Sequence, residues 1–305
     1  MDPIKIKNKF KISEIYAAGI MQNEKPVDRL SGAYDCLEAV FVNSGTLTVA
    51  ADEHIFECTA GGAVIFKPGE MHYLKLSYDN YTEYTVVSFK AEGELLEKIE
   101  NTAFLPTVLQ KQLILSIFNQ IVKSGEYNKI LPLVFKEDSF ATLKLAATIE
   151  LLIIDISFNA EIVPETESRE ALLFKKAVKE MKKNVLGQLS VNKLAEKLEI
   201  SLSHLKRIFA AFTDVGVHEY FMGLKIVKAK EMLKSGVSVT ETAELTGFNN
   251  QNYFSAAFKR ISGISPKEYA GVKKKSEPQK SALSLKKSLS VPKERATADM
   301  PSYLL

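Results

Sequence analysis

The sequence predicts an α+β protein of several domains: an N-terminal antiparallel β-barrel, a helical layer and a C-terminal all-α domain with two helix-turn-helix units. Three observations predict this order. Short runs rich in Val, Phe, Tyr and Thr alternate with turn residues up to about residue 92, long apolar runs follow in 93–158, and one helical apolar stripe occurs twice in 171–271. With 305 residues, 46% of them hydrophobic, the chain is long enough for two or three packed units.

The first part of the chain predicts six short strands. Each run is separated from the next by a turn signal such as Asn43-Ser44-Gly45 or Lys67-Pro68-Gly69. Many short strands at this spacing are typical of a small antiparallel barrel or jelly roll. The predicted strands are Leu37–Val42, Thr46–Ala50, His54–Cys58, Ala63–Phe66, Tyr73–Leu76 and Thr85–Phe89.

The spacing of Glu38 and Gly45, and then of Gly62, Pro68-Gly69 and His72, resembles the two motifs of the cupin barrel. The resemblance implies a cupin-like sensor barrel in residues 1–92. In metal-binding cupins three His and one Glu hold the ion. On this alignment two of the His positions fall on Gly32 and Tyr34, so we expect no metal and no cofactor.

The same alignment directs Tyr34, Glu38 and His72 into the barrel. A barrel interior with a few convergent polar groups is the usual place for a small ligand. These residues are therefore candidates for binding a small polar effector. They would equally suit a filled core in which they bond only to one another. Cys36 and Cys58 are expected to be small core residues, because two cysteines make neither a disulfide framework nor a metal spacing.

Residues 93–158 predict a helical layer, with helices at Glu94–Ile99, Val108–Lys123 and Phe140–Phe158. The last of these is apolar nearly all round, and so much apolar surface needs a cover. Either the barrel or a second copy of the chain can supply it, and we expect homodimerisation through this layer. Residues 159–170, with Pro164 and several acids, predict an interdomain linker.

Two helix-turn-helix units are predicted in residues 171–271. Apolar residues recur at i, i+3, i+4 and i+7 in two places about 49 residues apart. A shorter helix precedes each stripe, with Ser190 and Ser238 as the predicted N-caps. A third helix, 217–234, connects the units and would span about 27 Å, near the 34 Å of one DNA turn. The two stripes are Leu205, Ile208, Phe209 and Phe212, and Phe254, Ala257, Phe258 and Ile261.

Residues 189–269 resemble the DNA-binding domain of the AraC/XylS family. The resemblance is strongest at Gly247-Phe248, Tyr253-Phe254, Phe258-Lys259, Gly263, Pro266 and Tyr269. It implies a sequence-specific transcription regulator of the AraC family that binds double-stranded DNA. In that family the helical layer commonly supplies dimer contacts, and RNA polymerase is a further candidate partner.

The exposed face of each recognition helix follows from the 100° step between helical residues. Arg and Lys suit guanine edges, whereas Gln and Asn suit adenine. Polar residues on this face would otherwise be an ordinary solvated surface. The candidate base-reading residues are Ser203, Lys206, Arg207, Gln251, Asn252, Ser255 and Ala256, and the candidate phosphate contacts are Lys225, Lys228 and Lys259.

Charge is divided unevenly along the chain. Residues 1–170 carry 16 Lys and Arg against 25 Asp and Glu, whereas residues 171–271 carry 16 against 9. Only the C-terminal half is therefore suited to phosphate. Residues 272–305, rich in Lys, Ser and Pro, predict a disordered basic tail. We expect a cytoplasmic protein without membrane contact, because no apolar run reaches 18 residues and the N-terminus lacks a signal-peptide core.

A different class of function also fits part of the sequence. A cupin-type enzyme, such as a sugar isomerase, could be fused to a helical domain. Such an enzyme would require the metal ligands that the cupin alignment lacks. We therefore expect a regulator rather than an enzyme, and bound metal would discriminate the two.

Overall fold

The computed structural model describes residues 10–22, 35–76, 81–123 and 139–271. Within these ranges the N-terminal part consists of two antiparallel sheets. One has the strand order β1-β7-β2-β5-β8-β9, and the other has the order β4-β3-β6. The strands are β1 (Lys11–Gln22), β2 (Leu37–Ser44), β3 (Thr46–Ala51), β4 (His54–Thr59), β5 (Ala63–Phe66), β6 (His72–Leu76), β7 (Glu83–Glu92), β8 (Thr102–Leu105) and β9 (Glu161–Ile162).

All six predicted strands are confirmed, with ends that differ by a few residues. Three further strands were not predicted: β1, β8 and β9. β1 pairs with β7 along nearly its whole length, from Lys11 opposite Glu92 to Gln22 opposite Glu83. Apolar side chains of both sheets meet in one core, in which Val40 and Val64 of the larger sheet pack with Leu47 and Val49 of the smaller one.

The described helices agree with the predicted helical layer and with the predicted helix-turn-helix units. Ser139 begins α3 by accepting a hydrogen bond from Thr142 N at 3.1 Å. The helices are α1 (Leu96–Ile99), α2 (Val108–Lys123), α3 (Phe140–Asn159), α4 (Arg169–Lys183), α5 (Val191–Lys197), α6 (Leu202–Phe212), α7 (Val217–Lys234), α8 (Val239–Leu245), α9 (Gln251–Ser262) and α10 (Pro266–Gly271).

Helix α3 has two apolar faces. Its inner face, which includes Ile149 and Leu152, is buried with α2 against the larger sheet. The other face is exposed and forms what we call the outer stripe of α3. Successive residues of the stripe are three, four, four, three and four positions apart, a spacing typical of the contact face between two packed helices. The outer stripe consists of Phe140, Leu143, Ala147, Leu151, Ile154 and Phe158.

The segment predicted as a linker, 159–170, is bound to both sheets. Val163 N donates to Ala103 O at 2.8 Å, and Thr166 N donates to Ile55 O at 2.8 Å. Between them Glu165 Oε1 lies 2.8 Å from His54 Nδ1, and its other oxygen accepts from Lys175 of α4. The connection therefore holds the start of α4 against the smaller sheet rather than spanning a gap.

The smaller sheet also packs on the helical domain. Met71 and Tyr73 share a buried cluster with residues of α4, α6 and α7. Gly223 of α7 lies so close to Met71 that an added Cβ would come within 2.6 Å of its Cε. One apolar core thus joins the smaller sheet to the first helix-turn-helix unit. In the ranges that the structure describes, no helix combines the length and the apolar character needed to cross a bilayer.

Candidate nucleic-acid interface

The first helix-turn-helix unit is formed by α5, a tight turn and α6. Ser190 begins α5 by accepting a hydrogen bond from Lys193 N at 3.1 Å. Ser201 begins α6 by accepting from His204 N at 3.2 Å. Between the helices Glu199 has a φ of +56°, in the left-handed region that reverses the chain within a few residues. Both helix starts are therefore fixed by their own side chains.

The second unit repeats this arrangement with α8 and α9. Ser238 caps α8 through a 3.2 Å hydrogen bond from the backbone of the third residue that follows. Gly247 has a φ of +73° and ends the turn after α8. Asn250 Oδ1 accepts two backbone hydrogen bonds of 2.8 and 3.2 Å in the first turn of α9. The predicted N-caps at Ser190 and Ser238 are confirmed.

The predicted apolar stripes are the buried faces of α6 and α9. Each faces a separate cluster of buried residues, and α7 contributes to both clusters. Ile261 is only half-buried. The buried members are Leu205, Ile208, Phe209 and Phe212 in α6, and Phe254, Ala257 and Phe258 in α9.

The opposite faces of both helices are open to solvent where base-reading residues were predicted. Six of the seven candidates are exposed, and Ser255 is half-buried. This exposure is what a major-groove contact requires, but the contact itself remains a prediction. The exposed candidates are Ser203, Lys206, Arg207, Gln251, Asn252 and Ala256.

The three lysines predicted as phosphate contacts lie in different environments. Lys259 is exposed on α9. Lys228 is half-buried on α7 and forms an ion pair of 2.7 Å with Glu231. Lys225 is only 5% exposed, and its ammonium donates to backbone carbonyls inside the domain. The expectation that Lys225 contacts phosphate is corrected, because its three N–H donors are already used there.

Two side chains near this interface were missed in the sequence. Tyr253 of α9 is 54% exposed beside Asn252. From the sequence it was identified only as part of the family resemblance, although the 100° step places it at the edge of the open face. Arg260 forms a two-pronged ion pair with Glu219 of α7, with Nη2 3.0 Å from Oε2. This pair connects α9 to α7.

The effector candidates Glu38 and His72 lie together inside the N-terminal domain. Glu38 Oε1 is 3.7 Å from His72 Nε2, and both side chains are buried. The ring of His72 stacks on Phe66 with centroids 4.0 Å apart. Tyr34 lies outside the described residues. The structure therefore brings two of the three predicted residues to one place.

A further buried acid, Glu70, was not recognised in the sequence because it follows a Pro-Gly turn. It is 3% exposed, and Lys67 Nζ lies 3.9 Å from its Oε2. Burial, followed by the neighbouring Asp52, raises the pKa of Glu70 to about 9. The carboxyl group is therefore mostly protonated at neutral pH. Its position next to Met71 places it near the contact between the smaller sheet and α7.

Comparisons with known proteins concern mainly the C-terminal part. A sequence profile described as a helix-turn-helix domain matches residues 194–271. The chain is 22% identical over 276 residues to an uncharacterised HTH-type transcriptional regulator, YisR, of Bacillus subtilis, covering 83% of this chain and 92% of that one. It is 29% identical over 157 residues to the Msm operon regulatory protein of Streptococcus mutans, covering 48% of this chain and 56% of that protein.

Solved structures with similar chains give low similarity scores. Fatty-acid-bound ToxT from Vibrio cholerae is 14% identical, with 86% of this chain and 96% of that chain covered and a TM-score of 0.35. The C-terminal domain of AraT, a response regulator from Geobacillus stearothermophilus, is 26% identical, with 37% and 93% covered and a TM-score of 0.33.

Proposed function

We propose that this chain, a transcriptional regulator with a helix-turn-helix domain of the AraC type, reads two consecutive major grooves of one DNA duplex with α6 and α9. The observation that carries the proposal is that both helices bury one face and leave the opposite face open. That exposed face holds the side chains suited to base edges.

The connecting helix supports reading of adjacent grooves. α7 has 18 residues and is therefore about 27 Å long. Successive major grooves on one side of B-DNA are about 34 Å apart. Since α7 contributes to the cores of both units, it would hold the two recognition helices at one separation.

The N-terminal domain is proposed to be a cupin-like barrel over residues 1–92 that binds a small polar effector. Glu38 Oε1 is buried and accepts no hydrogen bond from the described residues. A hydroxyl or amine of an effector would supply the missing donor. In a thermal-shift assay against polar metabolites, a ligand that stabilises the wild type and fails to stabilise Glu38→Ala would support this site. Equal stabilisation of both proteins would contradict it.

We further propose that the chain acts as a homodimer through the outer stripe of α3. The stripe runs for 19 residues, from Phe140 to Phe158, and its spacing is suited to packing against an identical helix. A second copy covers the same residues on both partners in a two-fold arrangement. A dimer would present four recognition helices to one operator.

Selection from a random duplex library with the purified chain tests the DNA-binding proposal. We expect one enriched motif with two conserved blocks per protomer, about 10 base pairs apart from centre to centre. Affinity should fall steeply with salt, since bound lysines and arginines release counterions. A library that emerges without enrichment, or with a single short block, would contradict two-groove recognition.

A further inference from the structure

Lys225 occupies the middle of α7, where the two helix-turn-helix units meet. Its ammonium donates to Gly187 O and Thr246 O, each at 2.5 Å, and to Val185 O at 3.3 Å. Val185 and Gly187 lie in the loop between α4 and α5 of the first unit. Thr246 lies at the end of α8 in the second unit. A single side chain therefore bonds to both units.

The surroundings of Lys225 allow little adjustment. The ammonium lies 5.0 Å from the ring centroid of Phe221 and 5.8 Å from that of Phe248. A Cβ added to Gly247 would come within 2.7 Å of Gly187 O and 3.1 Å of Lys225 Nζ. The two loops approach so closely that only a glycine fits between them.

A second hydrogen bond crosses the same junction. Gln188 Nε2 donates to Asn249 Oδ1 at 2.9 Å, but this pair is exposed, and an exposed neutral bond contributes little. A buried ammonium bonded to carbonyls contributes more, and removing it leaves those carbonyls without their donor. Lys225 is therefore the strongest polar connection across the junction among the residues described.

We propose that Lys225 is a positioning residue that fixes the angle and distance between the recognition helices α6 and α9. This inference rests on the proposed two-groove reading of DNA. Each unit has its own buried cluster, so loss of the lysine leaves both units folded. What is lost is the preset geometry that lets both helices enter their grooves together.

The first test measures spacing tolerance on the duplex that wild type selects. Insertion of one base pair between the two blocks moves the second groove by about 3.4 Å and about 35°. Wild type should lose about 10-fold or more in affinity, the scale of one lost base contact. Lys225→Met should bind the parent duplex about 10-fold more weakly but lose less than about 3-fold on insertion. Lys225→Arg, which keeps the donors, should restore the wild-type spacing penalty.

A matched control removes the same charge elsewhere. Lys179 is exposed on α4, and Lys179→Met should leave the spacing penalty unchanged. If Lys225→Met keeps the full insertion penalty, whether or not overall affinity falls, the lysine does not position the helices and the proposal is wrong.

The second test needs no DNA. Spin labels on Glu196→Cys of α5 and Glu244→Cys of α8, both exposed, report the distance between the units in the full chain with Cys36 and Cys58 replaced. The protein with Lys225 intact should give one narrow distribution of spin-label distances. Lys225→Met should give a broader distribution, with the midpoint of urea unfolding unchanged. Equal widths would overturn the proposal. Should Lys225→Met fail to fold, Lys225→Gln, which keeps an amide donor, replaces it in both tests. If wild type selects no DNA sequence, the proposed function fails while the distance measurement still decides the role of Lys225.

Discussion

Tyr73 of β6 stacks on Tyr220 of α7, with ring centroids 4.9 Å apart and ring planes at 24°. The hydroxyl of Tyr220 donates to Asp52 O of the β3–β4 turn at 3.3 Å. Tyr220 also contacts Phe174 and Phe209 edge-on, so one ring joins the smaller sheet to α4 and α6. A movement of the sheet would therefore act directly on α7, the helix that connects the two helix-turn-helix units.

Replacing Tyr73 by Ala should weaken this junction. Truncation of a large buried aromatic residue costs about 3–5 kcal/mol, and we expect that loss in urea unfolding. Because the contact is between domains, we also expect one unfolding transition for the wild type and two for the variant. Tyr81→Ala, at an exposed tyrosine of the same sheet domain, should cost less than about 0.5 kcal/mol. A Tyr73 variant as stable as this control would show that the stacking contributes little.

Arg207→Ala should reduce specific DNA binding by about 1–3 kcal/mol and relax the preference for one base. The reason is that Arg207 is exposed on α6, where its guanidinium can bond to both acceptors of a guanine edge. Competition between the selected duplex and single-base variants measures this. An equal loss on every duplex, with a lower salt slope, would instead make Arg207 a phosphate contact.

Glu70 should make stability fall as the pH rises. Its pKa is raised from 4.5 to about 9 in the folded protein, chiefly by burial. Below about pH 4.5 the carboxyl is protonated in both states and carries no penalty. Between that pH and about 9 the unfolded chain releases its proton first, so folding is progressively disfavoured. Above about 9 the full penalty is present.

Glu70→Gln removes this titration while keeping the shape of the side chain. We expect the variant to be more stable than wild type at about pH 8, by about 1–3 kcal/mol, the scale of one poorly paired buried polar group. Thermal melts at several pH values measure the difference. Glu57→Gln, at an exposed carboxyl of β4, should keep the wild-type pH dependence. If Glu70→Gln also keeps the wild-type pH dependence of stability, a group other than Glu70 is responsible for that dependence.

Much of the C-terminal domain could be predicted because its signals are local. Ser190 and Ser238 each cap the helix that they begin, and the stripes of α6 and α9 repeat at helical spacing. β1 has no such signal: register shifts near Ile12 and Ile15 break its alternation, and its Ala and Gly residues do not favour a strand. Its pairing depends on β7, about 70 residues away.

The environment of Lys225 could not be predicted from local sequence patterns, because its contacts, like those of β1, are with residues distant in the chain. Its partners are backbone carbonyls 40, 38 and 21 residues away. Every residue has such a carbonyl, so the residue type does not indicate which ones accept a hydrogen bond from Lys225. The burial of Glu70 could not be predicted either, since only tertiary packing distinguishes this residue from an ordinary exposed carboxylate in a turn.

Gly247→Ala should destabilise the second unit more than strain alone would do. Gly247 has a φ of +73°, and a Cβ there meets Gly187 O at 2.7 Å. Gly236 has a φ of +96° with no atom within 4 Å, so Gly236→Ala measures backbone strain without crowding. We expect about 1 kcal/mol for Gly236→Ala and about 2–4 kcal/mol for Gly247→Ala in urea unfolding. Similar losses at both positions would show that the two loops can separate freely.

Leu151→Glu tests the outer stripe of α3 as a dimer contact. Leu151 is 51% exposed, so the change should leave the monomer folded, whereas burying a carboxylate between two identical helices should raise the dimer dissociation constant by about 100-fold or more. Sedimentation velocity over a concentration series measures this. Ala141→Glu places the same charge on an exposed position of α3 outside the stripe and should leave the dimer intact. The proposal is wrong if the wild type sediments as a monomer at every concentration. It is also wrong if Leu151→Glu associates as the wild type does, because the outer stripe would then not be the dimer contact.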